Sequence, residues 1–492
     1  MVRKAPWGDR KKSKKVRPFS LRSFLFWQSA TMKVLAILLA VGLSALSLSG
    51  QDTVSEPAPQ VFLDLTKLHS YANQEVPDYI NRDNTPQNNP ITDIGATLGR
   101  VLFYDKSLSR NGTISCASCH QQEHAFGDPA VASTGVSGTT GRHSMRLVNA
   151  RFASEDRFFW DERAPSLEFQ TTQPIQDHIE MGFSGADGDP DFSALVARIA
   201  DMEIYQVLFT AVYGSPDVTE QRMQSALAQF IRSIQSFDSK YDEGLSNAPN
   251  PNANFANFTA EENLGKQIFT APPGPGAGCA GCHRPPTFDI DPNSGHNGII
   301  GSLTGGTDLT NTRSPSLRDV VDSQGRPHGP FMHDGSKTSL LDVINHYNAI
   351  PAVTLGLDRR LAGPPPRPGR PPGPAQRLNL TEVEKEALVA FLATLTGSSI
   401  YTDEKWSSPF DENNELSFVV LPVTVKVAPD SGQLVLRANG VPRVTYLLKS
   451  SADLKTWNEG IEVTANEDGE LIHTMEGAPA TGFFSFVYQP GE

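Results

Sequence analysis

Apolar residues recur at three- and four-residue spacing through two long runs, DFSALVARIADMEIYQVLFTAVYG (191–214) and TEQRMQSALAQFIRSIQSFDSKYDE (219–243). That is the period of helices burying one face, and Thr219 opens the second run as an N-cap. A third run, LTEVEKEALVAFLATLTG (380–397), carries Thr381 with Glu384 three residues later, a capping box, and stops at Gly397. Loops rich in Gly, Pro and Asn, at 244–257 and in GPPPRPGRPPGP (363–374), read as linkers or surface excursions. After about Ser407 the pattern shortens to FVVLPVTVKVAP, GQLVLRA, TYLLKSS, GIEVTAN, ELIHTM and FFSFVYQ, β-branched or aromatic runs between turn residues. These predict a small all-β, sandwich-like C-terminal domain over 416–492, behind a mainly α chain. The tail has no cysteine and no clustered ligands, and a docking or spacing role suits it.

The helical part repeats. LGRVLFYDKSLSRNGTISCASCH begins at Leu98 and LGKQIFTAPPGPGAGCAGCH at Leu264. Each is a helix-like Leu-Gly-basic segment with Phe five residues on, then a loop, then a cysteine frame. A period of roughly 165 residues is too long for a solenoid and predicts two related domains.

All four cysteines of the 492-residue chain lie in the two frames, Cys116-Ala-Ser-Cys119-His120 and Cys279-Ala-Gly-Cys282-His283. Both read C-x-x-C-H, the attachment frame of c-type haem. Two thiols add to the porphyrin vinyl groups while the next residue turns its imidazole onto the iron. Two disulfides are the plain alternative for an exported chain, but the spacing argues for two covalently bound c-type haems.

Export itself is read from residues 1–50. A basic run, RKKSKKVR, precedes MKVLAILLAVGLSALSLSGQ, which begins at Met32, itself an alternative start. The apolar stretch Val34–Leu48 is 15 residues, short of the roughly 20 of a membrane span. It ends in small residues, with Ser47 or Ser49 at the cut. This predicts a secretory signal and a periplasmic or exported protein, with an uncleaved membrane anchor as the alternative. Without residues 1–50 the chain keeps 32 Lys and Arg against 54 Asp and Glu, a net charge of −22. So acidic a surface argues against nucleic acid and suits a basic protein partner.

From roughly Val61 to Thr396 the chain resembles the bacterial dihaem cytochrome c peroxidase and MauG superfamily. The resemblance rests on the two frames together with FFWDERAPSLEFQTTQPIQDHIEMGF (158–183), RSPSLRDV (313–320) and GPFMHDGSKTSLLDVINHY (329–347). It implies an N-terminal peroxidatic haem domain (51–258) and a C-terminal electron-transfer haem domain (259–406), both cytochrome c-like. His120 would be the proximal ligand of the first iron and His283 of the second. Glu180 would be the distal carboxylate over the first haem, with Gln170 and Pro174 ten and six residues before it. Trp160 would lie between the haems. The chemistry fits these residue types: cleaving peroxide needs a proton moved from one oxygen to the other, a service worth about 10²–10⁴-fold. An indole couples electrons better than saturated carbon. The alternatives are a packing aromatic at Trp160 and, at Glu180, a surface acid paired with an arginine.

The pattern departs from the family at three places. The peroxidases carry a histidine sixteen residues after the proximal one, which here is Val136, although His124 and His143 lie nearby. This implies a first haem open at rest, with no reductive activation. The sixth ligand of the second iron, methionine in the peroxidases and tyrosine in MauG, falls on Tyr347, fourteen residues past His333. A thioether raises the iron's potential, whereas a phenolate donates charge and favours higher oxidation states, so Tyr347 implies a MauG-like site. Otherwise Tyr347 is an interfacial tyrosine, with His346 or Met332 nearer the iron. The family often binds calcium between domains. Here His143 replaces the expected Asn, Pro330 is retained and His328 stands for a Thr, which counts against calcium.

Two functions follow. One is a peroxidase drawing electrons from a small cytochrome c or copper protein, or using hydrogen peroxide to oxidise a partner protein. The other is a non-enzymatic dihaem electron carrier anchored through its β domain. An open first haem favours the enzyme.

Overall fold

A computed structural model describes residues 62–492, apart from residue 66 and residues 363–373, 419–423, 428–433, 453–454, 476–482 and 489–492. The signal or anchor read into residues 1–50, and nearly all of the proline-rich linker, lie outside the described residues.

Ten α-helices occur among the described residues: α1 (Asp93–Tyr104), α2 (Cys116–Cys119), α3 (Leu167–Thr171), α4 (Phe192–Ala200), α5 (Glu203–Tyr213), α6 (Glu220–Ser233), α7 (Lys240–Asn247), α8 (Ala260–Thr270), α9 (Leu340–Asn348) and α10 (Glu382–Ala393). None is long and apolar enough to cross a membrane. The N-caps predicted at Thr219 and Thr381 are made, the latter with its Glu384 box. Both long apolar runs are broken, however. The first splits at Asp201–Met202, where Met202 is extended and the Gln206 amide donates to the Ala200 carbonyl (3.0 Å) that α4 leaves free. The second splits after Ser233. Asn149 takes up the Ile234 carbonyl through its N–H (3.0 Å), and its side chain pairs with both backbone groups of Ser236. Ser239 and Asp242 then form the capping box that opens α7.

Helix pairs α1/α6 and α8/α10 cross in the same way. At Gly99 a Cβ would stand 2.0 Å from the Ala226 carbonyl oxygen and 2.8 Å from Phe230 Cβ. At Gly265 the distances are 1.9 Å to the Ala387 carbonyl oxygen and 2.8 Å to Phe391 Cβ. The Leu-Gly-basic repeat therefore records one close crossing made twice. The basic residue of each copy is buried and holds a loop: Arg100 Nε donates to the Ser407 carbonyl (2.6 Å), and Lys266 Nζ to those of Pro251 (2.6 Å) and Ala253 (2.7 Å). A second corner repeats as well. Asn149 (φ 60°) and Asp319 (φ 55°) are both left-handed, and their N–H groups donate to carbonyls just past α6 and α10, those of Ile234 and Leu395.

The crossings organise two buried apolar clusters, one around Phe103 and Phe230, the other around Phe269, Phe288 and Phe391. Ile400 and Trp406 belong to the first cluster despite following the second helix pair. Trp406 is 1% exposed and donates its indole N–H to the Ser233 carbonyl (3.2 Å). Residues 399–408 thus form a strap across the first half.

The strands are β1 (Phe62–Leu63), β2 (His283–Arg284), β3 (Asp289–Ile290), β4 (Ser417–Phe418), β5 (Thr424–Val427), β6 (Leu434–Asn439), β7 (Thr445–Ser451), β8 (Ile461–Thr464), β9 (Glu470–Met475) and β10 (Phe483–Tyr488). β1 pairs with β4 in parallel, and β2 with β3 antiparallel. The tail forms two antiparallel sheets, β5-β6-β9 and β10-β7-β8. Leu434, Leu436 and Leu471 of one sheet and Leu448 and Val463 of the other share a single cluster. The chain is thus helix-rich with a small β region at its C-terminal end.

Gly99→Ala and Gly265→Ala should each lower stability by about 1–3 kcal/mol through overpacking, although alanine is the better helix former by about 0.5–1 kcal/mol. Denaturant unfolding midpoints measure this, and a rise in either midpoint would contradict the crossing.

Candidate functional site

The first frame is built on α2. Ser115 and Ser118 cap the turn reciprocally, setting Cys116 and Cys119 three residues apart on one face, with His120 at the exit. Ala125 and Phe126 are both left-handed (φ 56° and 57°) and turn the Phe126 carbonyl back onto His120 Nδ1 (3.1 Å). That bond suits Nδ1 as the N–H donor, the tautomer of a metal-ligating histidine, and the Met145 carbonyl also acts on the ring. Burial lowers the His120 pKa, which keeps the ring neutral. All four cysteines are free rather than bridged. Burial foremost, with the charge of Glu180 among the smaller causes, pushes Cys116 up to about 12 and Cys119 up to about 11.

Glu180 therefore lies within electrostatic reach of the first frame. Its backbone is pinned by two loops: its N–H donates to Asp177 Oδ1 (3.0 Å), and its carbonyl accepts from Val136 N–H (3.0 Å). Gly135 permits this approach, since a Cβ there would stand 2.0 Å from the Ile179 carbonyl oxygen. Val136, which occupies the expected histidine position, thus runs beside Glu180 and offers no imidazole. The Glu180 carboxylate makes no ion pair or hydrogen bond among the described residues. Burial and the neighbouring Asp177 push its pKa up to about 7, with Arg163 opposing. Gln170, at the end of α3, and Pro174, in the turn after it, are half-buried.

The second frame opens on a cavity of about 650 Å³, a size suited to a cofactor. Cys279, Cys282, His283, Met332, Tyr347 and Trp160 line it. Burial lowers the His283 pKa to about 4, and its Nδ1 is buried without a hydrogen-bond partner. Two thiols, a neutral imidazole with an unpartnered nitrogen and largely apolar walls fit a haem. Tyr347 and Met332 reach this cavity together. The Asn297 side-chain amide bridges them, donating to Tyr347 Oη (3.3 Å) and standing 3.2 Å from Met332 Sδ. Burial raises the Tyr347 pKa, against the Asn297 hydrogen bond. His346 is tied elsewhere, with Nε2 on the Asn297 carbonyl (2.9 Å).

Trp160 comes from the first half to the wall of the second cavity. Its indole N–H donates to the His143 carbonyl (2.7 Å), and its ring stands edge-on to His333 (6.2 Å, 64°). The imidazoles at the calcium positions are engaged by protein: His143 Nδ1 meets the Ala130 carbonyl (3.0 Å), and His328 Nε2 meets the Tyr401 hydroxyl (3.1 Å). Among the described residues no group of three or more His, Cys, Asp or Glu is placed to hold a metal ion.

Sequence reasoning missed Asn297 and Tyr401. Asn297 sits in DIDPNSGHNGII, where the only signal is turn chemistry, and Tyr401 follows the helical run in a stretch with no periodicity.

A model of the di-haem cytochrome c peroxidase family matches residues 94–250. The methylamine utilization protein MauG of Methylophilus methylotrophus is 30% identical over 332 residues, 64% of this chain and 86% of that protein. The cytochrome c551 peroxidase of Nitrosomonas europaea is 28% identical, over 64% of this chain and 82% of its own. Among solved structures, a MauG-like protein associated with microbial copper homeostasis superposes with a TM-score of 0.54 at 29% identity, covering 68% of this chain and 99% of that one.

A carboxyl at about 7 is half ionised at neutral pH. An infrared C=O band that is absent in Glu180→Gln should titrate near pH 7 rather than near 4.5. The folded state then binds more protons than the unfolded one between those values, so Glu180 costs stability as pH rises through that window. Glu180→Gln should be more stable than the parent above pH 7 and equal to it below 4.5.

Proposed function

We propose that this chain, which belongs to the di-haem cytochrome c peroxidase and MauG family, is an exported dihaem c-type peroxidase of the MauG-like branch. It is an oxidoreductase acting on hydrogen peroxide. The observation that carries the site assignment is Glu180: a half-buried, unpaired carboxyl beside the first thiol frame, with its pKa brought to about 7.

Cys116 and Cys119 would hold one haem and Cys279 and Cys282 the other by thioether bonds, with His120 and His283 as ligands to the irons. When bound, the first haem supplies the iron at which the O–O bond is cleaved, and the second holds electrons or oxidising equivalents. Glu180 would take a proton from one oxygen of hydrogen peroxide and deliver it to the other, which leaves as water. Its near-neutral pKa lets one group serve as base and then acid. Gln170 and Pro174 shape the wall around it, and Val136 leaves the distal face free of a histidine. Trp160, held by His143, gives the electron path between the sites. Tyr347 would be a ligand of the second iron, with Asn297 holding its hydroxyl and Met332 beside it. The roles are assigned to domains 51–258, 259–406 and 416–492, with exchanges at the boundaries: Ile400 and Trp406 pack into the first cluster, and Tyr241, Phe255 and Phe258 into the second. The electron donor is a basic cytochrome c or copper protein, or else a protein side chain is the oxidised substrate, because a net charge of −22 on the exported chain attracts a cationic partner.

The ferric holoprotein should show one high-spin and one low-spin haem, and two low-spin haems would sink the open first site. In stopped-flow mixing with peroxide, Glu180→Gln should slow the first spectral change by at least roughly tenfold with both resting haem spectra intact. Tyr347→Met should raise the potential of the second haem. If its potential and low-spin spectrum match the parent's, Tyr347 is not a ligand.

A further inference from the structure

The repeated corner at Asn149 and Asp319 carries one difference that the fold does not require. In the first half, Asn149 Nδ2 donates to the Ser236 carbonyl (3.1 Å) and Oδ1 accepts from Ser236 N–H (2.9 Å), so an amide satisfies the turn completely. In the second half, Gly397 stands two residues past Leu395, as Ser236 stands two past Ile234. Asp319 Oδ1 accepts from its N–H (2.8 Å). Asp319 is 0% exposed, and its Oδ2 makes no hydrogen bond of good geometry, although the Ser236 hydroxyl lies near enough to favour its charged form. A carboxylate in that position costs solvation that an amide would not.

What the acid adds is a base for Tyr401. The phenol O–H donates to Asp319 Oδ1 at 2.7 Å, and the ring stacks on His328 (5.0 Å, 25°), whose Nε2 lies 3.1 Å from the hydroxyl. Tyr401 is also placed between the two frames. The carbonyl of its neighbour Ile400 accepts from Gln122 Nε2 (3.2 Å), two residues past His120, and His328 stands edge-on to His124 (6.0 Å). On the other side Val320, next to Asp319, and Arg146 line the cavity of the second frame. Arg146 has a buried, unpartnered Nε, and its positive charge acts on both Asp319 and Tyr401.

We propose that Tyr401 is a redox-active residue, a second electron path between the haem sites parallel to Trp160, whose oxidation is coupled to proton transfer to Asp319. The inference rests on the peroxidase reading for its oxidant, a haem oxidised by peroxide. That haem gains one electron, the phenol O–H bond breaks, and the proton passes to Asp319 Oδ1. The products are a neutral phenoxyl radical and a neutral carboxylic acid. One electron from the other haem and the same proton then restore the phenol. Because electron and proton leave the phenol together, the ring never bears a positive charge in a low-dielectric corner. Burial raises the Asp319 pKa, which makes it a stronger base than a surface aspartate, and burial with Asp319 raises that of Tyr401, so the phenol does not ionise unless it is oxidised.

The test is freeze-quench electron paramagnetic resonance of the holoprotein mixed with one equivalent of peroxide, with haem oxidation followed optically in the same samples. A tyrosyl signal is expected that narrows with ring-deuterated tyrosine and falls at least tenfold in Tyr401→Phe and in Asp319→Asn. The second variant copies the Asn149 corner and should match or exceed the parent's thermal unfolding midpoint. Transfer between the haems should be at least tenfold slower in Trp160→Phe/Tyr401→Phe than in Trp160→Phe alone. Haem oxidation at the parent rate with no tyrosyl signal, or with a signal unchanged in both variants, overturns the relay and leaves the peroxidase reading intact. If peroxide oxidises neither haem, the peroxidase reading fails. Flash-oxidised ruthenium tris-bipyridine then serves as the oxidant, and a radical dependent on Tyr401 and Asp319 supports the relay while its absence overturns it.

Discussion

Two helices can close until their backbones touch only where no Cβ stands between them, and Gly99 and Gly265 are where this chain does so. Each crossing buries the phenylalanines of its partner helix and fixes the direction in which the chain leaves toward its cysteine frame. Everything that meets a frame is hung on elements so placed: Glu180 on a loop against the first, Trp160 and Tyr347 at the wall of the second. The glycines touch none of the reacting groups, yet no alternative residue leaves the helices at that distance.

Buried acids in this protein divide by their partners. Asp242 is nearly as buried as Asp319, and burial alone would raise its pKa. The bidentate pair with Arg318 (2.7 and 2.8 Å) instead carries it below the ordinary value. That pair joins α7 to the 313–320 segment and is structural. Glu180 and Asp319 have no ion-pair partner among the described residues, and both are pushed up. Burial without a contacting ion-pair partner is unfavourable for folding, and such groups are therefore where chemistry is to be sought.

The parts of the site legible in the sequence are those whose determinants are local. C-x-x-C-H is complete in five residues, and a capping box such as Thr381 with Glu384 in four. The helix breaks were illegible because their causes are remote: Asn149 interrupts the run after Ser233 from more than 80 positions away. Asn297 carried no periodicity, and its role exists only once Tyr347 and Met332 have been brought to it. The Tyr401 corner became readable only when the two halves were laid over each other, because the signal is a mismatch between an amide and an acid at matching places.

The strap at residues 399–408 orders events in time. A polypeptide appears from its N-terminus, and the first cluster lacks Ile400 and Trp406 until nearly the whole helical region has been made. Gln122, two residues past the first frame, waits 278 positions for the carbonyl it will bind. Until then the first half is open on that side. The segment synthesised last of the helical region is the one that shuts the half synthesised first.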